Sequence, residues 1–183
     1  MGILLAFAPF IVFAVVASLL GGTGGLIAGA VVAAALLIRD LVRPGSAPKV
    51  LEIGTAILFC GLALYAVAGG ATGSIFGIRL CVDAGLLLIV LLSMAIHRPF
   101  TLQYAREQVP PEYWDRPEFV RANYVITAVW GLAFAVMVLA DIVLVYVPHL
   151  PTWFGVGATV LALVGAVKFT VWYPDRQRQK ALG

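Results

Sequence analysis

Charge is scarce in this chain. Lys, Arg, Asp and Glu make up 11% of its 183 residues, against 62% apolar residues. A soluble domain carries about 25% charged and about 45–50% apolar residues. With a mean hydropathy of +1.04, a water-soluble globule is excluded, as are disordered and collagen-like chains. Cysteine is nearly absent. Cys60 and Cys81 lie inside apolar runs with no CxxC, CxxCH or zinc spacing, which excludes a disulfide scaffold and leaves both as small packing residues. The two histidines, His97 and His149, are too far apart in sequence to share a helix as metal or haem ligands. Neither a metal nor a cofactor is implied. Also missing are HExxH, GxSxG and the DxxxD or DDxxD of prenyl-diphosphate chemistry.

What the chain has is long apolar runs. A helix needs about 20 residues, at about 1.5 Å each, to cross roughly 30 Å of hydrocarbon. Six segments meet that length: Ile3–Leu20, Gly25–Val42, Val50–Gly69, Ser74–His97, Glu118–Val147 and Thr152–Tyr173. The alternation of a membrane β-barrel is not seen. The expected fold is therefore all-α, an integral membrane bundle of six transmembrane helices forming one domain over residues 1–183. The longest polar connection, 98–118, is too short to bury a core of its own. Gly21–Gly25 and Gly69–Gly73 read as tight turns. Pro148 and Pro151 bracket another, and Pro174 closes the last helix. The first segment lacks a preceding basic residue and reads as a retained helix rather than a cleaved signal.

Eleven of the twelve Lys and Arg residues fall on one side of this arrangement: Arg39, Arg43 and Lys49 between the second and third segments, Arg98, Arg106, Arg116 and Arg121 between the fourth and fifth, and Lys168, Arg176, Arg178 and Lys180 toward the tail; Arg79 alone falls on the other. The positive-inside rule then places both termini in the cytoplasm of a bacterial inner membrane. The net charge of +3 is accounted for by topology and anionic headgroups, with no need of nucleic acid.

Charged and polar groups inside a bilayer are costly and mark function by default. In the fifth segment Asn123, Thr127, Trp130, Phe134, Met137 and Asp141 recur at steps of three and four, which puts them on one helix face. In the fourth, Arg79 lies one turn before Asp83 and can pair with it. With helices 4 and 5 packed together, Arg79 would bridge Asp83 and Asp141 near the outer mouth. Glu52, Thr55, His97, Asn123 and Thr127 would converge on the inner side. Two readings of this cluster stay open: a polar route for a cation, a proton or a small solute, or hydrogen bonds and ion pairs that join helices. Small residues at four-residue spacing, Gly25, Gly29 and Ala33 in one segment and Ala158, Ala162 and Ala166 in another, fit either close internal packing or a seam with a second copy.

The 98–118 connection interleaves Arg98, Arg106, Arg116 and nearby Arg121 with Phe100, Tyr104, Tyr113, Trp114 and Phe119. Aromatic rings favour the headgroup zone and arginines pair with phosphate, so this connection is expected on the cytoplasmic interface. There it would bind membrane lipid, a phosphorylated substrate or another membrane subunit. Glu107, beside Arg106, is the one candidate general base for a lipid-active enzyme. The run Arg98-Pro-Phe-Thr-Leu-Gln-Tyr-Ala-Arg-Glu107, with Trp114, Asn123, Thr127 and Trp130, resembles uncharacterised small bacterial membrane proteins grouped with the intracellular septation protein A family. That resemblance implies an inner-membrane protein linked to cell division or envelope upkeep, without established catalysis. The leading expectation is a non-catalytic envelope or assembly component. A small transporter or channel is the alternative, and a lipid-active enzyme the third.

Overall fold

The computed structural model describes residues 5–43, 47–70, 75–147 and 149–182 (70 and 178–182 by their backbone alone). Among the described residues every regular element is a helix. In chain order these are α1 (Ala8–Val42), α2 (Val50–Tyr65, continued by a wider turn over Ala66–Gly70), α3 (Ile75–Ala95), α4 (Phe100–Arg106), α5 (Pro117–Tyr146) and α6 (Trp153–Leu182). Five of them are long and apolar enough to cross a membrane: Ala8–Val42, Val50–Gly69, Ile75–Ala95, Pro117–Tyr146 and Trp153–Gln177. The architecture is that of a multi-pass membrane protein. The chain forms two compact units, Met1–Ile89 and Val90–Gly183, which divide within α3. The start of the first segment at Ile3, residues 71–74 of the second glycine turn and Pro148 lie outside the described residues.

In the first unit α1 is one element in name and two in geometry. Gly21 has φ 83° and ψ 170° inside it, a left-handed conformation that glycine adopts without steric cost. Contacts show that the chain turns back there. A Cβ placed on Gly25 would lie 2.6 Å from the Ala17 Cβ and 2.9 Å from the Phe13 carbonyl oxygen. The Phe59 ring sits 5.1 Å from the Phe10 ring, while a Cβ on Gly29 would meet that same Phe59 ring at 2.6 Å. In a straight helix Phe10 and Gly29, nineteen residues apart, would be separated by about 28 Å, and one ring could not touch both. The arms 8–20 and 22–42 are therefore a hairpin closed on Phe59. The expected turn over Gly21–Gly25 narrows to Gly21, because a single positive φ suffices. Gly25 and Gly29 serve instead to let the arms and α2 approach closely.

Around that ring Phe13, Ala17, Leu26, Phe59, Ala63, Ala66 and Val82 form one buried apolar cluster. α2 and α3 lock reciprocally, with Gly54 facing Ile89 and Gly85 facing Leu58.

In the second unit α5 and α6 run antiparallel. Leu144 packs on Gly155 near their junction, and Trp130 reaches Thr170 at the far end. Two features depart from expectation. The 98–118 connection is not an irregular loop, since it contains α4 and a single turn at Pro111–Tyr113. And α6 does not stop at Pro174 but runs through it to Leu182. Proline removes the bond to the carbonyl four residues back, here Thr170, without forbidding helix on either side.

Gly25→Leu is expected to destabilise the protein by about 1–3 kcal/mol through overpacking the hairpin. Gly61→Ala, on a helix position with nothing within 4 Å of the added Cβ, should instead gain about 0.5–1 kcal/mol. Thermal unfolding in detergent measures both.

Candidate functional site

Polar chemistry in the first unit gathers at the end of the second α1 arm. Asp40 lies in the last turn of α1, where the helix dipole disfavours an anion, and two cations offset this. Arg39 reaches its Oδ1 at 2.7 Å and the Lys49 Nζ donates to its Oδ2 at 2.8 Å. Lys49, at the N-cap of α2, also stands 3.6 Å from the Glu52 Oε1. Glu52 sits in the first turn of α2, where a carboxylate is favoured. Asp40, Lys49 and Glu52 are 2%, 6% and 4% exposed. Two carboxylates and two cations balance one another. This group ties the end of α1 to the start of α2. Thr55, one turn beyond Glu52, is buried as well. The remaining polar candidates of this unit are on α3, with Asp83 buried and Arg79 half-buried one turn before it.

In the second unit all six residues of the α5 stripe are buried: Asn123, Thr127, Trp130, Phe134, Met137 and Asp141. Three polar members of the stripe make bonds that join elements. Thr101 of α4 donates to the Asn123 carbonyl at 2.9 Å. With its one proton so used, its 2.7 Å contact with Thr127 takes the Thr127 hydroxyl as donor. The Asn123 side-chain amide donates to the Phe119 carbonyl. Trp130 Nε1 donates to the Thr170 hydroxyl at 2.9 Å, which in turn donates to the Ala166 carbonyl. Phe100 packs edge-on to Trp130, next to Phe134. Asp141, 1% exposed, lies near the opposite end of α5.

The connection from α3 to α5 is built inward as well as outward. Phe100 and Tyr104, expected among lipid headgroups, are 0% and 2% exposed. Their rings fill protein instead, because α4 lies along α5. Trp114 is held by the connection itself, its Nε1 shared between the carbonyls of Arg106 and Val109 at 3.1 and 3.0 Å. Arg106 lies over the Trp114 ring, 5.6 Å from its centre, and 3.6 Å from Asp115. Arg116 stacks on Tyr113 at 4.4 Å. Such cation–π pairs are worth about 0.5–1 kcal/mol at exposed sites and hold each guanidinium in place. Arg98, Glu107, Arg116 and Arg121 are exposed.

Beside this connection runs an open groove of about 600 Å³ lined by Met94, His97, Asp115, Pro117, Val120, Arg121 and Tyr124. His97 has φ 58°, the one non-glycine residue with positive φ among those described. The cause is local. The Arg98 amide bonds to the Ser93 carbonyl at 2.9 Å and the His97 amide to the Met94 carbonyl at 3.1 Å. That is a Schellman cap ending α3, whose left-handed position glycine normally fills. The Ser93 hydroxyl, itself bonded to the Val90 carbonyl, accepts the Phe100 amide and fixes the chain after Pro99.

His97 thus belongs with Arg121 and Tyr124 at the groove, Asn123 and Thr127 with Thr101, and Glu52 with Lys49 and Asp40. Sequence reasoning took Arg39 and Lys49 as topology signals and passed over Asp40, Ser93, Thr101 and Thr170. Opposite charges on either side of the Pro- and Gly-containing 43–49 turn were a usable sign of the first group. Nothing in the spacing marks Thr101 or Thr170. Among the described residues no group of three or more His, Cys, Asp or Glu could hold a metal. No family model matches the chain, and neither a curated protein nor a solved structure matches it.

Lys49→Met, which strips a buried carboxylate of its cation, is expected to cost about 3–5 kcal/mol of stability, read as a fall in the unfolding midpoint in detergent. His97→Gly should move the midpoint the other way, by about 1 kcal/mol, because it relieves the left-handed backbone.

Proposed function

We propose that this chain is a six-crossing protein of the bacterial inner membrane with both ends in the cytoplasm. It acts without catalysis, as an envelope or assembly component whose 98–118 connection holds membrane lipid. The reversal at Gly21 supports six crossings, since it divides the first long apolar helix into two arms. The one-sided basic residues support the orientation. The septation-family likeness of 98–130 supports a role in the envelope.

The observation that carries the lipid reading is how the connection is organised. Its apolar side chains, Phe100, Leu102 and Tyr104, are buried, and two of its arginines lie against aromatic rings, the half-buried Arg106 on Trp114 and the exposed Arg116 on Tyr113. A guanidinium held in place presents its planar donor fork to phosphate oxygens at lower entropic cost than a free one. Glu107, the candidate base of the enzymatic reading, is exposed and is not in the lining of the groove.

Single cysteines in a variant lacking Cys60 and Cys81 test the topology. Membrane-impermeant label should reach positions 47, 108 and 177 from the cytoplasmic face, and positions 23 and 149 from the other face. Label reaching 23 and 177 from the same face would overturn it. Lipids co-purifying with the protein should be enriched in anionic species, and the paired changes Arg98→Glu and Arg116→Glu should lower that enrichment several-fold. Unchanged enrichment would refute the lipid role.

A further inference from the structure

The groove at the end of α3 narrows the lipid reading and rests on it. We propose that it is the seat of one anionic phospholipid headgroup, with the His97 imidazole and the Arg121 guanidinium as N–H donors to its phosphate, Tyr124 as a further donor, and Met94, Pro117 and Val120 as the seat of the first apolar carbons below it. Its volume of about 600 Å³ is within the range of small-molecule sites, about 300–1,000 Å³. Its lining divides by chemistry in the way an amphiphile does, with Met94, Pro117 and Val120 apolar and His97, Arg121, Tyr124 and Asp115 polar. It lies where α3 ends and α5 begins, at Ala95 and Pro117. That is the level at which apolar helix gives way to charge and lipid phosphates are found. The one carboxylate in the lining, Asp115, stands 3.6 Å from Arg106, which offsets its repulsion of an anion.

The conformation of His97 singles it out further. A left-handed cap position suits glycine, and a ring held there against that preference points to a use for the ring. An imidazole donates one N–H and a guanidinium two in a plane, a set matched to the oxygens of a phosphodiester.

Binding is tested on the full-length protein in non-ionic detergent. It is titrated with phosphatidylglycerol or phosphatidylcholine, read by native mass spectrometry, with inorganic phosphate as soluble competitor. One phosphatidylglycerol should be retained at least tenfold more tightly than phosphatidylcholine. His97→Gly should unfold at higher temperature than the wild type and still lose about tenfold in phosphatidylglycerol affinity. Arg121→Gln should lose a similar factor. Because the glycine variant is expected to be the more stable protein, its loss of binding cannot be a folding defect. Wild-type affinity in both variants would overturn the proposal, and so would displacement of the lipid by millimolar inorganic phosphate, which would assign the groove to a free anion. If only the Arg98 and Arg116 reversals weaken anionic binding, the headgroup sits on the outer rim; the groove is then refuted while the wider lipid role stands. A wild type with no preference for anionic lipid would remove both.

Discussion

Hydrocarbon offers a polar group nothing to bond, and this constraint shapes every buried contact described above. Helices satisfy their own backbones; what remains is to seat the side chains and the helix ends. The chain does so in two ways. The buried charge of Asp40 is balanced by Arg39 and Lys49. Neutral polar groups are seated either on a carbonyl of their own helix, as Ser93 is on Val90, or across elements, as in Thr127 to Thr101 to the Asn123 carbonyl.

Magnitudes separate what holds the helices together from what aligns them. A hydrogen bond between membrane helices contributes about 0.6 kcal/mol on average, so the Trp130–Thr170 and Thr101–Thr127 links together amount to little more than 1 kcal/mol. Close apolar packing weighs more. Gly25 against the Phe13 backbone, Gly29 against Phe59, and the exchange of Gly54 and Gly85 with Ile89 and Leu58 bring whole helix faces within dispersion range. Polar pairs fix register, and the small residues allow the contact.

How much of this was legible in the sequence depends on periodicity. The α5 stripe was readable because six residues recur with the helical repeat in an apolar background, and all six are buried. The hairpin turn was readable from the glycine cluster, though not its restriction to Gly21, since neighbouring glycines look alike until one of them needs a positive φ. α4 was not readable. Its seven residues are flanked by prolines and arginines, and what makes it helical is the α5 surface under Phe100, Thr101 and Tyr104. The Asp40–Lys49 pair was obscured for a similar reason, because its two residues belong to different helices and no periodicity links them. His97 was noticed as a rare residue type, but its strained cap depends on backbone bonds from Ser93 and Met94 that only coordinates reveal.

Pro174 has a consequence for the way α6 meets α5. The carbonyl it leaves without an intrahelical donor is that of Thr170, and Thr170 is also the residue whose hydroxyl receives Trp130. One residue thus carries both the cross-link to α5 and the gap in the ladder of α6, as a rivet set at a missing rung.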